Sequence, residues 1–129
     1  AKNISKKYKI SRRDAAYYDE ETIRRMARSL VSALDYLHND LNIVHRDIKP
    51  QNIMIDEAGS PLIVDFGKAR QLNNEEDDLT TSMEGTYTFL PPESCSFDTT
   101  TYSMKRADIW SLGLTIYVLT FNKLPFNIG

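Results

Sequence analysis

The sequence has a single cysteine, Cys95, so no internal disulfide can form. A secreted disulfide scaffold is excluded, and an intracellular, cytoplasmic setting is the expectation. Charge of one sign is also missing: 16 Lys plus Arg face 18 Asp plus Glu, for a net charge of −2. A domain that grips nucleic acid through its phosphates normally carries a basic excess, so no nucleic-acid partner is expected. The longest apolar-rich stretch, 109–121, has 13 residues, where a membrane span needs ~20, so no membrane insertion is expected. The opening residues, Ala1-Lys2-Asn3-Ile4, carry neither an initiator Met nor a signal-like apolar run. With 41% hydrophobic and 26% charged residues, the chain is too apolar for wholesale disorder. What remains is a soluble chain of 129 residues, the size of one domain.

Residues 1–14 are basic, with Lys2, Lys6, Lys7, Lys9, Arg12 and Arg13. No period organises them, and they read as a solvated surface segment. A helix is expected over 19–38, where Ile23, Met26, Leu30, Leu34 and Leu37 recur at steps of three and four. Asp19 is placed to cap it, and Glu20 and Glu21 suit the positive end of its dipole. Ile53-Met54-Ile55 and Leu62-Ile63-Val64 are short β-type runs joined by a turn over 56–61, which reads as a hairpin. From Asp65 to about Tyr102 no period is sustained, and a stretch this long is either functional or disordered. A second helix is expected over 108–122, capped by Asp108 and apolar nearly all round. Such a helix must be covered on every face. The rest of the chain cannot do that, which points to a partner or a larger domain.

The polar residues bracketing the hairpin carry the chemistry. Asp47 and Asn52 precede its first strand and Asp65 follows its second, so antiparallel pairing returns Asp65 toward the other two. Two carboxylates and an amide are oxygen donors suited to Mg²⁺ shared with substrate phosphates. Lys49 between them offers a point charge to a phosphoryl oxygen. A carboxylate left over can accept a hydroxyl proton. These are the parts of phosphoryl transfer to an alcohol.

His45-Arg46-Asp47-Ile48-Lys49-Pro50-Gln51-Asn52, followed by Asp65-Phe66-Gly67, resembles the catalytic loop and magnesium motif of the eukaryotic protein kinases. Pro91-Pro92-Glu93 and Asp108-Ile109-Trp110-Ser111-Leu112-Gly113 resemble two further motifs of that family, in the same order. The resemblance implies an α+β, protein-kinase-like fold in part: a mainly helical C-lobe with a short β-hairpin carrying the catalytic loop. Residues 1–129 would then be a partial kinase domain, with catalytic loop 45–52, activation segment 65–93 and buried helix 108–122. The N-lobe and C-terminal helices would be absent.

The resemblance also implies roles. Asp47 matches the catalytic base, Lys49 the lysine on the transferring phosphate, and Asn52 and Asp65 the magnesium ligands. Met54 matches a position beneath the adenine of ATP, and His45 and Phe66 match a stacked spine whose base Asp108 anchors. Lys49, and Thr86 after Gly85, match the Ser/Thr-kinase pattern rather than the tyrosine-kinase one. Arg46 beside Asp47 marks kinases switched by phosphorylation in the activation segment, with Thr80, Thr81 and Ser82 as acceptors for an upstream kinase. Within the family, the 85–94, 103–110 and 125–126 stretches look most like the calcium/calmodulin-dependent protein kinase kinases. The expected function is transfer of the ATP γ-phosphate to a protein Ser or Thr hydroxyl in a signalling cascade, with ATP and Mg²⁺ as cofactors. The sequence holds no Gly-x-Gly-x-x-Gly, so the 129 residues by themselves are expected to be inactive. A pseudokinase or interaction scaffold is the alternative.

Overall fold

The computed structural model describes residues 2–3, 18–95 and 101–127. Among these residues the regular structure comprises two α-helices and seven short strands, with shorter π and 3₁₀ turns between them. Strands β1 (Lys2–Asn3), β2 (Ile43–Val44), β3 (Ile53–Ile55), β4 (Pro61–Ile63), β5 (Arg70–Gln71), β6 (Leu79–Thr80) and β7 (Tyr102–Ser103) surround helices α1 (Glu20–Asp35) and α2 (Met104–Phe121). Apart from the backbone of Lys2 and Asn3, the basic run 1–14 lies outside the described residues.

Helix α1 begins where its cap requires, with the Asp19 carboxylate accepting the Thr22 N–H at 2.8 Å. Its apolar stripe buries Met26, Leu30 and Leu34. The expected helix to residue 38 ends at Asp35 and widens into a π-turn over Tyr36–Asp40, which carries Leu37 and His38 into the interior. Together with Ile48, Ile53, Leu112 and Leu119, the stripe forms the main core. Helix, hairpin and the 45–52 loop therefore share one apolar centre, and the loop cannot shift without disturbing it.

The hairpin pairs Ile53 with Ile63, Met54 with Leu62 and Ile55 with Pro61. Its second strand starts one residue earlier than the sequence pattern suggests, because Pro61 opposes Ile55. Val64 still donates to the Asn52 carbonyl at 2.9 Å, so the ladder carries the chain up to Asp65. β1 adds to the other edge of β3.

The second helix differs from expectation at its start. Asp108 does not cap α2; Ser103 does, accepting the Arg106 N–H at 3.1 Å, and the helix begins at Met104. The Asp78 carboxylate secures this end as well, bonding the Ser103 hydroxyl and accepting the Lys105 N–H at 2.7 Å. Asp108 is thereby carried one turn inside the helix, buried with 1% of its surface exposed. One face of α2 packs through Leu112, Leu114, Thr115 and Leu119, while Ile109, Trp110 and Phe121 lie exposed. No helix among the described residues is long and apolar enough to cross a membrane.

The aperiodic stretch after Asp65 is held by pairings too short to produce a period. β2 pairs with β5, β6 with β7, and 3₁₀ turns occupy 75–78, 87–89 and 92–94.

Candidate active site

The site is built on a buried carboxylate, that of Asp108. Asp108 accepts the backbone N–H of His45 at 2.8 Å and of Arg46 at 2.9 Å, and the Nε2–H of His38 at 2.8 Å. Three donors satisfy a charge that would otherwise be costly to bury. They fix the chain immediately before Asp47 to a helix 62 residues away.

The His45 ring extends that frame. Its Nδ1 accepts the Asp47 N–H at 3.1 Å, so its proton sits on Nε2, which donates to the Val64 carbonyl at 2.9 Å. The ring also meets Phe66 edge-on, with centroids 4.9 Å apart. His45 thus links the residue before Asp65 to Asp47 as a neutral strut, with no nitrogen free to act as a base.

Arg46 and Asp65 adopt left-handed backbone angles, φ 70° and 63°. Such angles are uncommon away from glycine, cost of order 1–3 kcal/mol each, and persist only where surrounding bonds over-determine them. For Arg46 those bonds are the Asp108 contact and its own Nε–H, which donates to the Lys68 carbonyl at 2.6 Å. Gly85 lies against the same backbone. Its φ is 112°, and a Cβ there would stand 2.5 Å from the Arg46 carbonyl oxygen, so no side chain fits. This close approach delivers Thr86 to the 45–52 loop.

Around Asp47 the side chains converge. Thr86 donates its hydroxyl to Asp47 Oδ1 at 2.9 Å and accepts from Lys49 Nζ at 2.6 Å. Asn52 Nδ2 donates to the Asp47 carbonyl at 2.7 Å and to Oδ2 at 3.3 Å. The ammonium groups of Lys68 and Lys49 lie 3.5 and 3.7 Å from Oδ2. Burial pushes the Asp47 carboxyl upward, but the Thr86 hydrogen bond and the charges of Lys49 and Lys68 outweigh it. The group is held below the ordinary carboxylate value.

The sign follows from linkage. A carboxyl whose pKa is lower folded than unfolded adds stability above its unfolded pKa, and loses it as pH falls through the folded value. Carboxyl ¹³C NMR is expected to place the Asp47 midpoint below that of an unstructured Asp, and Thr86→Val to raise it. A midpoint at or above the unstructured value would contradict this.

Asp65 arrives at the end of the hairpin as the sequence implies. Its side chain is exposed, with Oδ1 accepting the Gly67 N–H at 3.2 Å. Met54 is half-buried in β3. Thr80 is buried, its Oγ1 accepting the Ser82 N–H at 3.1 Å, whereas Thr81 and Ser82 are exposed. Cys95 is a free, exposed thiol.

Two participants escaped the sequence reading. His38 follows Leu34 and Leu37 on the buried side, and a polar residue on an apolar stripe is the signal that marks it. Lys68 follows Asp65-Phe66-Gly67 directly, and nothing in its spacing says that it turns back to Asp47.

Comparison with known proteins agrees with this geometry. Residues 2–128 match the family described as protein kinase domain. The chain is 43% identical over 110 residues to a calcium/calmodulin-dependent protein kinase kinase, cmkC, of Emericella nidulans, covering 85% of the chain and 21% of that relative. It is 42% identical over 112 residues to the serine/threonine-protein kinase TOS3 of Saccharomyces cerevisiae, covering 81% of the chain and 20% of the relative. A third relative, the serine/threonine-protein kinase ppk34 of Schizosaccharomyces pombe, is 39% identical over 107 residues, with 83% and 29% covered. The chain therefore spans about a fifth of the length of the first two. With the family match running almost end to end, and with Asp47, Lys49, Asn52 and Thr86 gathered in one cluster, the chain belongs to the eukaryotic protein kinase family.

Proposed function

We propose that the protein of which this chain forms part is an ATP-dependent serine/threonine protein kinase, and that these residues supply its catalytic loop and activation segment. The observation that carries this reading is the Asp47 carboxylate, kept ionised by Thr86, Lys49 and Lys68 at the mouth of the hairpin that delivers Asp65. Asp47 orients the acceptor hydroxyl and takes its proton. Lys49, held by Thr86, would supply positive charge to the phosphate being transferred. The Ser/Thr acceptor class rests on Lys49 and Thr86, and on relatives carrying that name.

The donor set fits a magnesium ion. Asn52 commits its amide nitrogen to Asp47, which leaves Oδ1 for a cation, and Asp65 presents an exposed carboxylate. Both are hard oxygen donors, suited to an ion that keeps its other positions for phosphate and water. When bound, Mg²⁺ would neutralise charge on the ATP phosphates. Met54, half-buried in β3, would lie under the adenine.

Control by phosphorylation is part of the same reading. Exposed Thr81 and Ser82 are better placed to accept a phosphate than buried Thr80, and Arg46 is the cation to pair with it. The upstream kinase, the protein substrate and a signalling role belong to this proposal.

The test is transfer of radiolabelled γ-phosphate from ATP to mixed Ser, Thr and Tyr peptides. The full-length protein is expected to label Ser or Thr peptides, and the 129 residues alone to label none. Labelling confined to Tyr, or no labelling by the full-length protein, would overturn the reading. The second of these outcomes favours a scaffold.

A further inference from the structure

Between the first half of α1 and the turn of the hairpin lies a groove of about 550 Å³. Its helix side carries Arg25 and Arg28, both exposed and about one turn apart on the same face. Its floor is apolar: Met26 is buried, and half-buried Ile55 packs against the main core. Pro61, paired with Ile55 across the hairpin, and Ser60 line the opposite side. No residue of the Asp47 cluster belongs to it.

The hairpin side is preformed. Gly59 takes φ 86°, its N–H donates to the Asp56 carbonyl at 3.1 Å, and the Ser60 N–H donates to Asp56 Oδ1 at 2.8 Å. Asp56 thus spends its carboxylate on the turn. Asp19 spends its own capping α1, and Glu20 and Glu21 pair with Arg24 at 3.3 Å. Arg25 and Arg28 make no ion pair among the described residues, and no carboxylate lines the groove. Residues 1–14, just ahead of it in sequence, carry six Lys and Arg against one Asp. That sign is wrong for filling the groove from within and right for attracting an acidic partner.

A small free anion would meet the guanidinium groups and leave the apolar floor in water, whereas a peptide can cover both. Helix positions i and i+3 set their Cβ atoms about 5–6 Å apart. Alternate residues of an extended strand point the same way at a spacing of about 6.7 Å. Two acids separated by one residue therefore meet the two arginines, each in a charge-assisted pair. The residue between them faces the other way, toward Ile55 and Pro61.

We propose that this groove docks an extended acidic segment of a partner protein, in which two carboxylates flank one apolar side chain. Arg25 and Arg28 clamp the carboxylates, and the apolar side chain packs on Met26, Ile55 and Pro61. Such docking is independent of whether the full-length protein transfers phosphate.

The experiment uses the full-length protein and a short fluorescent peptide with the core Glu-Leu-Glu, its binding read by anisotropy. Controls carry Gln-Leu-Gln or Glu-Ser-Glu. The first peptide is expected to bind more tightly than either control, and less tightly as salt rises. Arg25→Gln combined with Arg28→Gln is expected to weaken it about three- to thirty-fold, the scale of losing two exposed ion pairs. Arg25→Glu combined with Arg28→Glu should abolish it and create binding of a Lys-Leu-Lys peptide. Arg24→Gln, outside the groove, should leave binding unchanged. All three arginines are exposed, so each variant should keep the thermal midpoint of the unsubstituted protein.

Absence of Glu-Leu-Glu binding overturns the proposal, as does equal binding of Gln-Leu-Gln. An equal loss in Arg24→Gln overturns it too, since that is a general charge effect. Self-association that the double Gln variant abolishes would give the groove to a second copy of the chain, and also overturns the partner segment. Phosphate transfer is measured separately, and its failure in the unsubstituted protein leaves the docking result standing.

Discussion

Asp47→Asn in the full-length protein is expected to lower kcat by about 10²–10⁴-fold, the range for losing a positioned general base. The substitution keeps the side-chain volume and leaves an oxygen for the Thr86 hydroxyl, so the loop should keep its shape. It removes the negative charge that Lys49 and Lys68 face at 3.7 and 3.5 Å. It also turns an amide donor toward the Asn52 amide, which now donates to Oδ2 at 3.3 Å. In the proposed mechanism the acceptor hydroxyl would then lose the group that orients it and takes its proton. ATP affinity should change little, because Asn52 and Asp65 are untouched. Retention of more than a tenth of the unsubstituted kcat would remove Asp47 from the role of base.

The second large effect is structural. Asp108→Ala deletes the acceptor for two backbone N–H groups and for His38, all at 2.8–2.9 Å and all buried or half-buried. An unsatisfied buried donor costs about 1–3 kcal/mol. The change is therefore expected to destabilise the loop by roughly 3–5 kcal/mol, the scale of breaking a buried charged pair. The left-handed turn at Arg46 loses one of the bonds that impose it. Hydrogen exchange at the His45 and Arg46 amides reads the effect locally: protection should fall by two orders of magnitude or more, and kcat should fall with it. Exchange at those amides within ten-fold of the unsubstituted protein would show that Asp108 does not hold the loop.

What could be read from the sequence depended on how each contact is encoded. The α1 stripe and the hairpin are periodic, so their burial followed from side-chain spacing, and the return of the chain past Asn52 to Asp65 followed from antiparallel geometry. The start of α2 was misread because Asp108 looks like a cap, while the cap in use, Ser103, is completed by Asp78 from 25 residues earlier. Strands of two residues have no period to detect, so the ties β2–β5 and β6–β7 were hidden in a stretch that reads as loop. Lys68 and His38 act through side-chain direction across the fold, and one-dimensional spacing does not encode that direction. The motif resemblance named the candidate reactive residues; it did not show that Asp47 is flanked by a second lysine.

The Asp108 contact also sets an order of events during synthesis. His45 and Arg46 leave the ribosome 62 or more residues ahead of the carboxylate that fixes them. At ~5–20 residues per second, that is a delay of roughly 3–12 s. Throughout that interval the loop bearing Asp47 exists as chain but not as a site. Its competence is conferred retroactively, when the first turns of α2 emerge and close a long loop on it.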